Sequence, residues 1–181
     1  MTIQLPEKPN GSQYEDAVTA AIRALGYFTE SRLILDTDGR TLLELDVVAT
    51  PTRGDVSKKV LIEAKTKKTG FADIFKVFGW KTFLDIPKGL MARYEDLPLE
   101  DLKAFEGYEE KLKVYVKTFS LDNIDSFESV LPRQREVTED ILFILYRLGW
   151  YSATAERLCQ KAFNEFKKNE ANREQSAKIS E

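Results

Sequence analysis

The pattern of apolar and polar residues predicts an amphipathic helix near the start of the chain. Apolar side chains from Tyr14 to Leu25 recur every three or four residues, which places them on one face of a helix. Gly26 follows in the position at which many helices end. Ser12 and Glu15 have the spacing of a capping box, so the helix is predicted to start at Ser12.

Two-residue periodicity and β-branched residues predict the strands of a sheet. Residues 27–35 and 41–50 are separated by an Asp-Gly pair, which is typical of a hairpin turn. A short apolar segment at 59–65 predicts a buried neighbouring strand, and residues 112–119 predict a further core strand.

Helical periodicity continues between and after these strands. It predicts a helix over 71–85, one or two short helices over 94–112, and C-terminal helices over 139–148 and 153–168 that Gly149 separates. Strands that alternate with helices indicate an α/β fold, with a central mixed β-sheet flanked by helices.

The chain divides into segments of different character. Residues 1–10 contain two prolines and are expected to form a flexible leader. Residues 11–131 carry the predicted α/β core, and residues 132–170 form a helical C-terminal extension. The polar residues 171–181 are expected to fray. A chain of 181 residues is long enough for one such domain.

Composition restricts the chemistry that this chain can perform. It contains no histidine, which excludes histidine-dependent catalysis and histidine-ligated zinc. The single cysteine, Cys159, excludes an internal disulfide and multi-cysteine metal sites. Carboxylates remain, and they prefer hard cations such as Mg²⁺ or Mn²⁺. Because the chain has no long apolar run and no signal-like start, we expect a cytoplasmic protein that does not enter a membrane.

Charge is distributed unevenly along the chain. The net charge is −3, yet residues 53–93 contain ten basic and four acidic side chains. A basic segment in an acidic chain predicts a local site for a polyanion such as DNA. The alternative is that these lysines only solvate loops and helix faces. The candidate DNA contacts are Lys67, Lys68, Lys76 and Lys81.

Charged residues interrupt two of the predicted strands. Side chains two apart share a face, so Glu63 and Lys65 lie on one side of their strand, and Asp46 shares a face with Glu44 and Val48. Charges in apolar strands are costly unless they are paired or bind a metal. Two carboxylates and a backbone carbonyl can hold Mg²⁺, and an adjacent lysine suits phosphodiester hydrolysis.

These motifs and their order resemble the PD-(D/E)XK nuclease superfamily, within which the layout is similar to Mrr-type restriction endonucleases and archaeal Holliday-junction resolvases. The resemblance covers roughly residues 11–86, and Leu45 stands where the family name has proline. The matching segments are Tyr14-Glu15, Gly26-Tyr27, Leu45-Asp46-Val47-Val48-Ala49 and Ile62-Glu63-Ala64-Lys65.

The resemblance implies a restriction-endonuclease-like fold and Mg²⁺- or Mn²⁺-dependent cleavage of DNA, in repair, recombination or defence. Asp46 and Glu63 would bind the metal together with the backbone of Ala64. Lys65 would be the catalytic lysine, and Glu15 would be the helix-borne acidic residue.

Other interpretations stay open from the sequence. The charged trio is also compatible with a structural salt bridge in a non-catalytic α/β interaction module, and Glu15 with a capping role alone. A nuclease-fold protein that has lost cleavage would instead bind nucleic acid, or a protein partner through the acidic C-terminal half. Cutting both strands of DNA with one site per chain favours a homodimer, with the helices after Glu139 as its interface.

Overall fold

A computed structural model describes residues 8–37, 40–67, 70–95, 97–119 and 124–179. The first seven residues of the predicted leader and the two residues of the predicted Asp-Gly turn lie outside them. The chain is an α/β protein with a five-stranded mixed sheet between two layers of helices. Among the described residues, no helix combines the length and apolarity that crossing a bilayer requires.

The sheet has the strand order β1-β2-β3-β4-β5. The first three strands are antiparallel neighbours, whereas β3, β4 and β5 run parallel. The strand bounds are β1 Tyr27–Thr37, β2 Arg40–Pro51, β3 Val60–Lys65, β4 Lys88–Arg93 and β5 Val114–Thr118.

The helices cover both faces of the sheet. α1 and α4 pack over one face, against a core that includes Val47 and Ile62. α2 and α3 cover the other face, where Leu61 and Met91 are buried. A 3₁₀ turn at Ile124–Phe127 follows β5. The helix bounds are α1 Gly11–Ala24, α2 Phe71–Phe83, α3 Leu99–Leu112 and α4 Glu139–Ile179.

The prediction missed β4, the strand between β3 and β5. Pro87 and Gly89 are residues typical of the end of a helix, yet Gly89 is a buried strand residue that lies against Val77 of α2. A Cβ atom there would come within 2.7 Å of the Val77 side chain, so the close contact requires glycine.

The two predicted C-terminal helices form one continuous helix, α4. Gly149 does not interrupt it but packs against the backbone of Ala20 on α1, where an added Cβ atom would lie 3.1 Å from the Ala20 Cα. The helix also continues to Ile179, beyond the predicted end. Glycine at this position permits close approach of two helices.

Only one part of β2 is paired with β3. β1 and β2 form a long hairpin from Tyr27 to Pro51, whereas the pairing of β2 with β3 is limited, among the described residues, to Val47, Val48 and Ala49. The outer half of the hairpin therefore projects beyond the end of β3. Asp46 lies where the two strands separate.

Candidate active site

A hydrogen bond joins the two strands at the point of separation. The backbone N–H of Ala64 on β3 donates to Oδ2 of Asp46 on β2, at 2.8 Å. Ala64 follows Glu63 directly, and the Glu63 carboxylate is near enough to act electrostatically on Asp46. The two predicted carboxylates therefore lie in the same part of the sheet.

The neighbouring strand β1 is irregular at the same level. The regular pairing of β1 with β2 is interrupted where Arg32 stands opposite Asp46. Arg32 has a φ of 55°, in the left-handed region that side chains other than glycine rarely adopt. This conformation interrupts the regular geometry of the hairpin next to the carboxylate.

The strict alternation predicted for β2 is wrong at this interruption. Leu45 packs in the same core cluster as Val48, three residues later, although alternation places them on opposite faces. Val47 packs on the α1 side. Asp46 lies between Leu45 and Val47, where the alternation of the side chains is interrupted. It is within electrostatic range of both Glu15 on α1 and Glu63 on β3.

Glu63 is a buried carboxylate that two lysines share. Its Oε1 atom lies 2.6 Å from Nζ of Lys65 and 2.9 Å from Nζ of Lys76 on α2. The Glu63 side chain is 4% exposed, whereas the lysines reach it from partly exposed positions. Lys76 also lies over the ring of Trp80, 4.0 Å from its centroid.

The electrostatics of the site reflect crowded negative charge. Burial, together with the nearby Glu63 carboxylate, raises the pKa of Asp46 to about 7, although the Ala64 N–H opposes the shift. Burial acts to lower the pKa of Lys65, but its bond to Glu63 outweighs burial, and this pKa is raised. An additional positive charge beside Asp46 would therefore stabilise its ionised form.

Glu15 faces the site from α1. The predicted capping box of Ser12 and Glu15 is wrong, because Asn10 caps the helix and exchanges hydrogen bonds with Gln13. Glu15 lies 3.5 Å from Nε of Arg32. Burial raises the pKa of Glu15 against the opposing charge of Arg32. Asn10 thus removes the capping explanation for a carboxylate at this position.

Sequence reasoning missed the adjacent residue, Asp16. Its side chain is completely buried and accepts hydrogen bonds from Arg32, from Arg157 at 2.8 Å and from Thr154 at 3.2 Å. The last two belong to α4, more than 130 residues away in sequence. Asp16 therefore anchors α4 beside the site, and no local pattern in the sequence indicates these partners.

The anchored helix forms one wall of a cleft over Asp46. This cleft has a volume of about 440 Å³ and lies between α1, the β1–β2 hairpin and the second half of α4. Glu15, Glu44 and Asp46 lie on its α1 and hairpin sides together with Arg32, and the α4 wall adds three basic, two amide and one acidic side chain. The α4 residues are Arg157, Gln160, Lys161, Asn164, Glu165 and Lys168.

The lysines predicted to contact DNA occupy different environments. Lys67 is exposed after β3, and Lys68 lies outside the described residues. Lys76 is bonded to Glu63. Lys81 is only 8% exposed, and burial lowers its pKa. The structure therefore does not place Lys81 on a surface that a phosphate reaches, whereas the α4 lysines of the cleft were missed.

The donor set fits a cation that also binds water and phosphate. In the part of the chain that the structure describes, no three acidic, cysteine or histidine side chains are grouped to hold a metal by themselves. Asp46 and Glu63 supply two carboxylates, which is the number that Mg²⁺ often takes when other ligands complete its shell. The carbonyl of Ala64, the third predicted ligand, belongs to the residue that bonds Asp46.

Comparison with known proteins adds no relative. The sequence matches no family model, and no curated protein shows significant similarity to it.

Proposed function

We propose that this chain is a metal-dependent endonuclease of the PD-(D/E)XK type that hydrolyses DNA phosphodiester bonds. Its sheet would then be the central sheet of a restriction-endonuclease-like fold. The observation that carries the proposal is the convergence of Asp46, Glu63 and Lys65 where the pairing of β2 with β3 ends. A purely structural ion pair does not require a second carboxylate beside it whose pKa is raised by burial.

Each residue has a distinct task in this proposal. Asp46 and Glu63 hold a Mg²⁺ or Mn²⁺ ion, which when bound lowers the pKa of water and stabilises charge on phosphate oxygens. The ammonium of Lys65, 2.6 Å from Glu63, orients the attacking water and offsets charge that develops on the phosphate. Glu15 faces the same space from α1 and orients water from the other side.

Lys76 sets the charge balance of the metal-free site. Glu63 is nearly fully buried, and an isolated carboxylate in such a place is costly. Two ammonium groups at one of its oxygens remove that cost. Lys76 would be able to turn towards a phosphate if a bound cation took over part of this compensation.

The cleft suggests how a strand of DNA approaches. The α4 wall presents Lys161 and Lys168 opposite the acidic positions Glu44 and Asp46. Phosphates bound by these lysines would extend over the metal-binding carboxylates, because the cleft runs from α4 to the hairpin. Contacts of this kind position the backbone without reading its base sequence.

One observation favours a second candidate, a nuclease-fold protein that binds nucleic acid without cutting it. Glu63 is held by Lys65 and Lys76 together, and a carboxylate satisfied in this way resembles a structural ion pair. In that case metal binding would be weak, and the cleft would act only as a docking site for a phosphodiester backbone.

A cleavage assay with matched variants separates the two functions. Supercoiled plasmid and a branched DNA are incubated with the chain in Mg²⁺ and in Mn²⁺, beside Asp46→Ala and Lys65→Ala. Asp55→Ala and Lys111→Ala serve as controls, because both residues are exposed and outside the cleft. We expect cleavage by the unmodified chain and both controls, and a loss of at least about 100-fold in the two site variants.

Binding measurements complete the assay. Titration with Mn²⁺ is expected to show binding that Asp46→Ala abolishes and Asp55→Ala preserves. DNA binding that is equal in all variants, with no cleavage in either metal, would contradict the nuclease proposal and favour the binding protein.

A further inference from the structure

A continuous apolar stripe runs along the outer face of α4. Its members are Ile141, Ile144, Leu148, Tyr151, Ala155, Cys159, Ala162 and Phe166, and every one of them is exposed. Seven steps over 25 residues give about 3.6 residues per step, the period of a straight α-helix. The stripe therefore keeps to one side of the helix along its whole length.

The stripe faces away from the rest of the chain. Leu142, Tyr146, Gly149 and Ala153 form the face that is buried against α1, and they are offset from the stripe by more than a third of a helical turn. In the second half of α4 the cleft residues, such as Gln160 and Asn164, continue the side that is buried against α1 in the first half. Each described side chain from 158 to 170 is exposed. An isolated helix half of this kind gains little stability in water, so a partner for its apolar side is expected.

We infer that this stripe is a homodimer interface in which α4 packs antiparallel against α4 of a second copy. The inference is independent of the proposed nuclease activity. It rests on two properties of the stripe, which are its pattern of large and small residues and its area.

Large and small residues along the stripe complement each other when one copy is reversed. With the midpoint near Ala153, Leu148 of one copy meets Cys159 of the other, and Ile144 meets Ala162. Tyr151 likewise meets Ala155, so three bulky side chains face small ones, and Ile141 meets Phe166 at the two ends of the stripe. Such alternation lets two helices approach to the 8–10 Å typical of close packing.

The same pattern of sizes sets the orientation. In a parallel arrangement each residue would meet its own copy, so Ile144, Leu148 and Tyr151 would crowd against their counterparts while Ala155, Cys159 and Ala162 left gaps. The antiparallel arrangement fills those gaps with the bulky side chains.

The exposed area matches what a stable dimer needs. Seven large apolar side chains on or beside the stripe are between 41% and 59% exposed. At about 90 Å² each, they would bury about 600 Å² per copy and about 1,200 Å² in total, at the lower end of specific interfaces. These residues are Ile141, Ile144, Leu148, Tyr151, Leu158, Phe163 and Phe166.

Sedimentation velocity of the full chain tests the dimer directly. The 20.7 kDa chain is expected to sediment as a species of twice that mass at tens of micromolar. Leu148→Glu and Ala162→Glu are expected to give monomers. Phe143→Glu is the matched control, because Phe143 is as exposed as the stripe residues but lies on another side of α4. Ala162 lies in the fully exposed half of the helix, so its variant keeps the test valid if Leu148→Glu fails to fold.

Oxidative cross-linking tests the orientation. Leu148→Cys is expected to form a disulfide with Cys159 of the second copy, because the antiparallel register sets these two positions opposite each other. A monomeric unmodified chain at these concentrations, or a dimer that survives both glutamate substitutions, would overturn the interface. A link between the two Cys159 residues of the unmodified chain, formed in equal yield, would overturn the antiparallel register.

Discussion

The ammonium of Lys76 lies 2.9 Å from Glu63, on the same carboxylate oxygen that Lys65 contacts. The two lysines reach this oxygen from different elements, since Lys76 belongs to α2 and Lys65 to the end of β3. Because both are cations, they compete with any metal ion for Glu63. Lys65 and Lys76 are therefore expected to weaken the binding of a metal ion to Glu63.

Removal of Lys76 is expected to strengthen metal binding. In Lys76→Ala, one of the two cations that compete for Glu63 is lost, and the dissociation constant for Mn²⁺ should fall about 3- to 10-fold, or about 0.7–1.4 kcal/mol. Isothermal titration calorimetry measures the change, with Lys111→Ala as the control. Lys65→Ala should also bind Mn²⁺ more tightly but lose cleavage, which separates the roles of the two lysines. Weaker Mn²⁺ binding in Lys76→Ala would contradict the competition.

The raised pKa of Asp46 predicts that this carboxylate destabilises the metal-free protein at neutral and high pH. Its pKa is about 7 in the folded chain against an ordinary value of 3.8, so the folded state holds the proton more tightly. The stability that this residue contributes is complete below pH 4 and is lost as the pH rises through 7.

Asp46→Asn removes this dependence while keeping an acceptor for the Ala64 N–H. In EDTA at pH 8 the variant should be more stable than the unmodified chain by about 2–4 kcal/mol, and the difference should vanish below pH 4. Urea unfolding at both pH values measures it, with Asp55→Asn as the control. Equal stability of Asp46→Asn and the unmodified chain at pH 8 would show that ionisation of Asp46 does not destabilise the fold.

The α4 wall of the cleft predicts a specific effect on DNA binding. Lys161→Ala and Lys168→Ala should each weaken binding about 3- to 10-fold at low salt and lower the slope of log K against log salt by about one. Fluorescence anisotropy over a range of salt concentrations measures both. An unchanged salt dependence in the double variant would place the DNA elsewhere.

We expect the stability of the fold to depend strongly on the buried carboxylate of Asp16. Asp16→Ala leaves the Arg32 and Arg157 guanidinium groups without their shared partner and should cost about 3–5 kcal/mol. Thermal unfolding followed by circular dichroism measures the loss, and the exposed Asp55→Ala should leave the transition nearly unchanged. A loss below about 1 kcal/mol would mean that the apolar contacts of α4 and its ion pair between Glu156 and Arg23 hold it without Asp16.

The two helical glycines predict effects of opposite sign. Gly149→Ala adds a Cβ atom 3.1 Å from Ala20 and should destabilise the chain by about 1 kcal/mol or more. Gly79 on α2 has open space around it, so Gly79→Ala should stabilise the chain by about 0.5–1 kcal/mol. Chemical denaturation of the two variants compares them directly. Equal effects would contradict the close packing of α1 and α4.

Local patterns predicted most of the fold. The amphipathic α1, the β1–β2 hairpin, β3, α2 and β5 follow from periodicity within one segment. The buried strand β4 was missed because its short apolar run begins beside Pro87 and Gly89, and proline and glycine usually mark a turn or loop. α4 was divided at Gly149 because the reason for that glycine, contact with Ala20, is visible only in three dimensions.

The residues of the candidate site also fall into two groups, those that the sequence indicates and those that depend on tertiary contacts. Asp46, Glu63 and Lys65 stand out because charges within apolar strands are unusual, and Glu15 follows from the family resemblance. The partners of Asp16 and the lysines of the α4 wall depend on a contact between α1 and a helix more than 100 residues later. Sequence spacing carries no record of such a contact, so these residues could not be found from the chain alone.

The hairpin beyond Asp46 has a mechanical consequence. Its outer strands pair only with each other among the described residues, and a two-stranded ribbon has little stability of its own. Asp46 is fastened to β3 through Ala64, at the base of this ribbon. The ribbon is therefore expected to bend about that base more readily than the rest of the sheet, while the carboxylate beneath it stays fixed to β3.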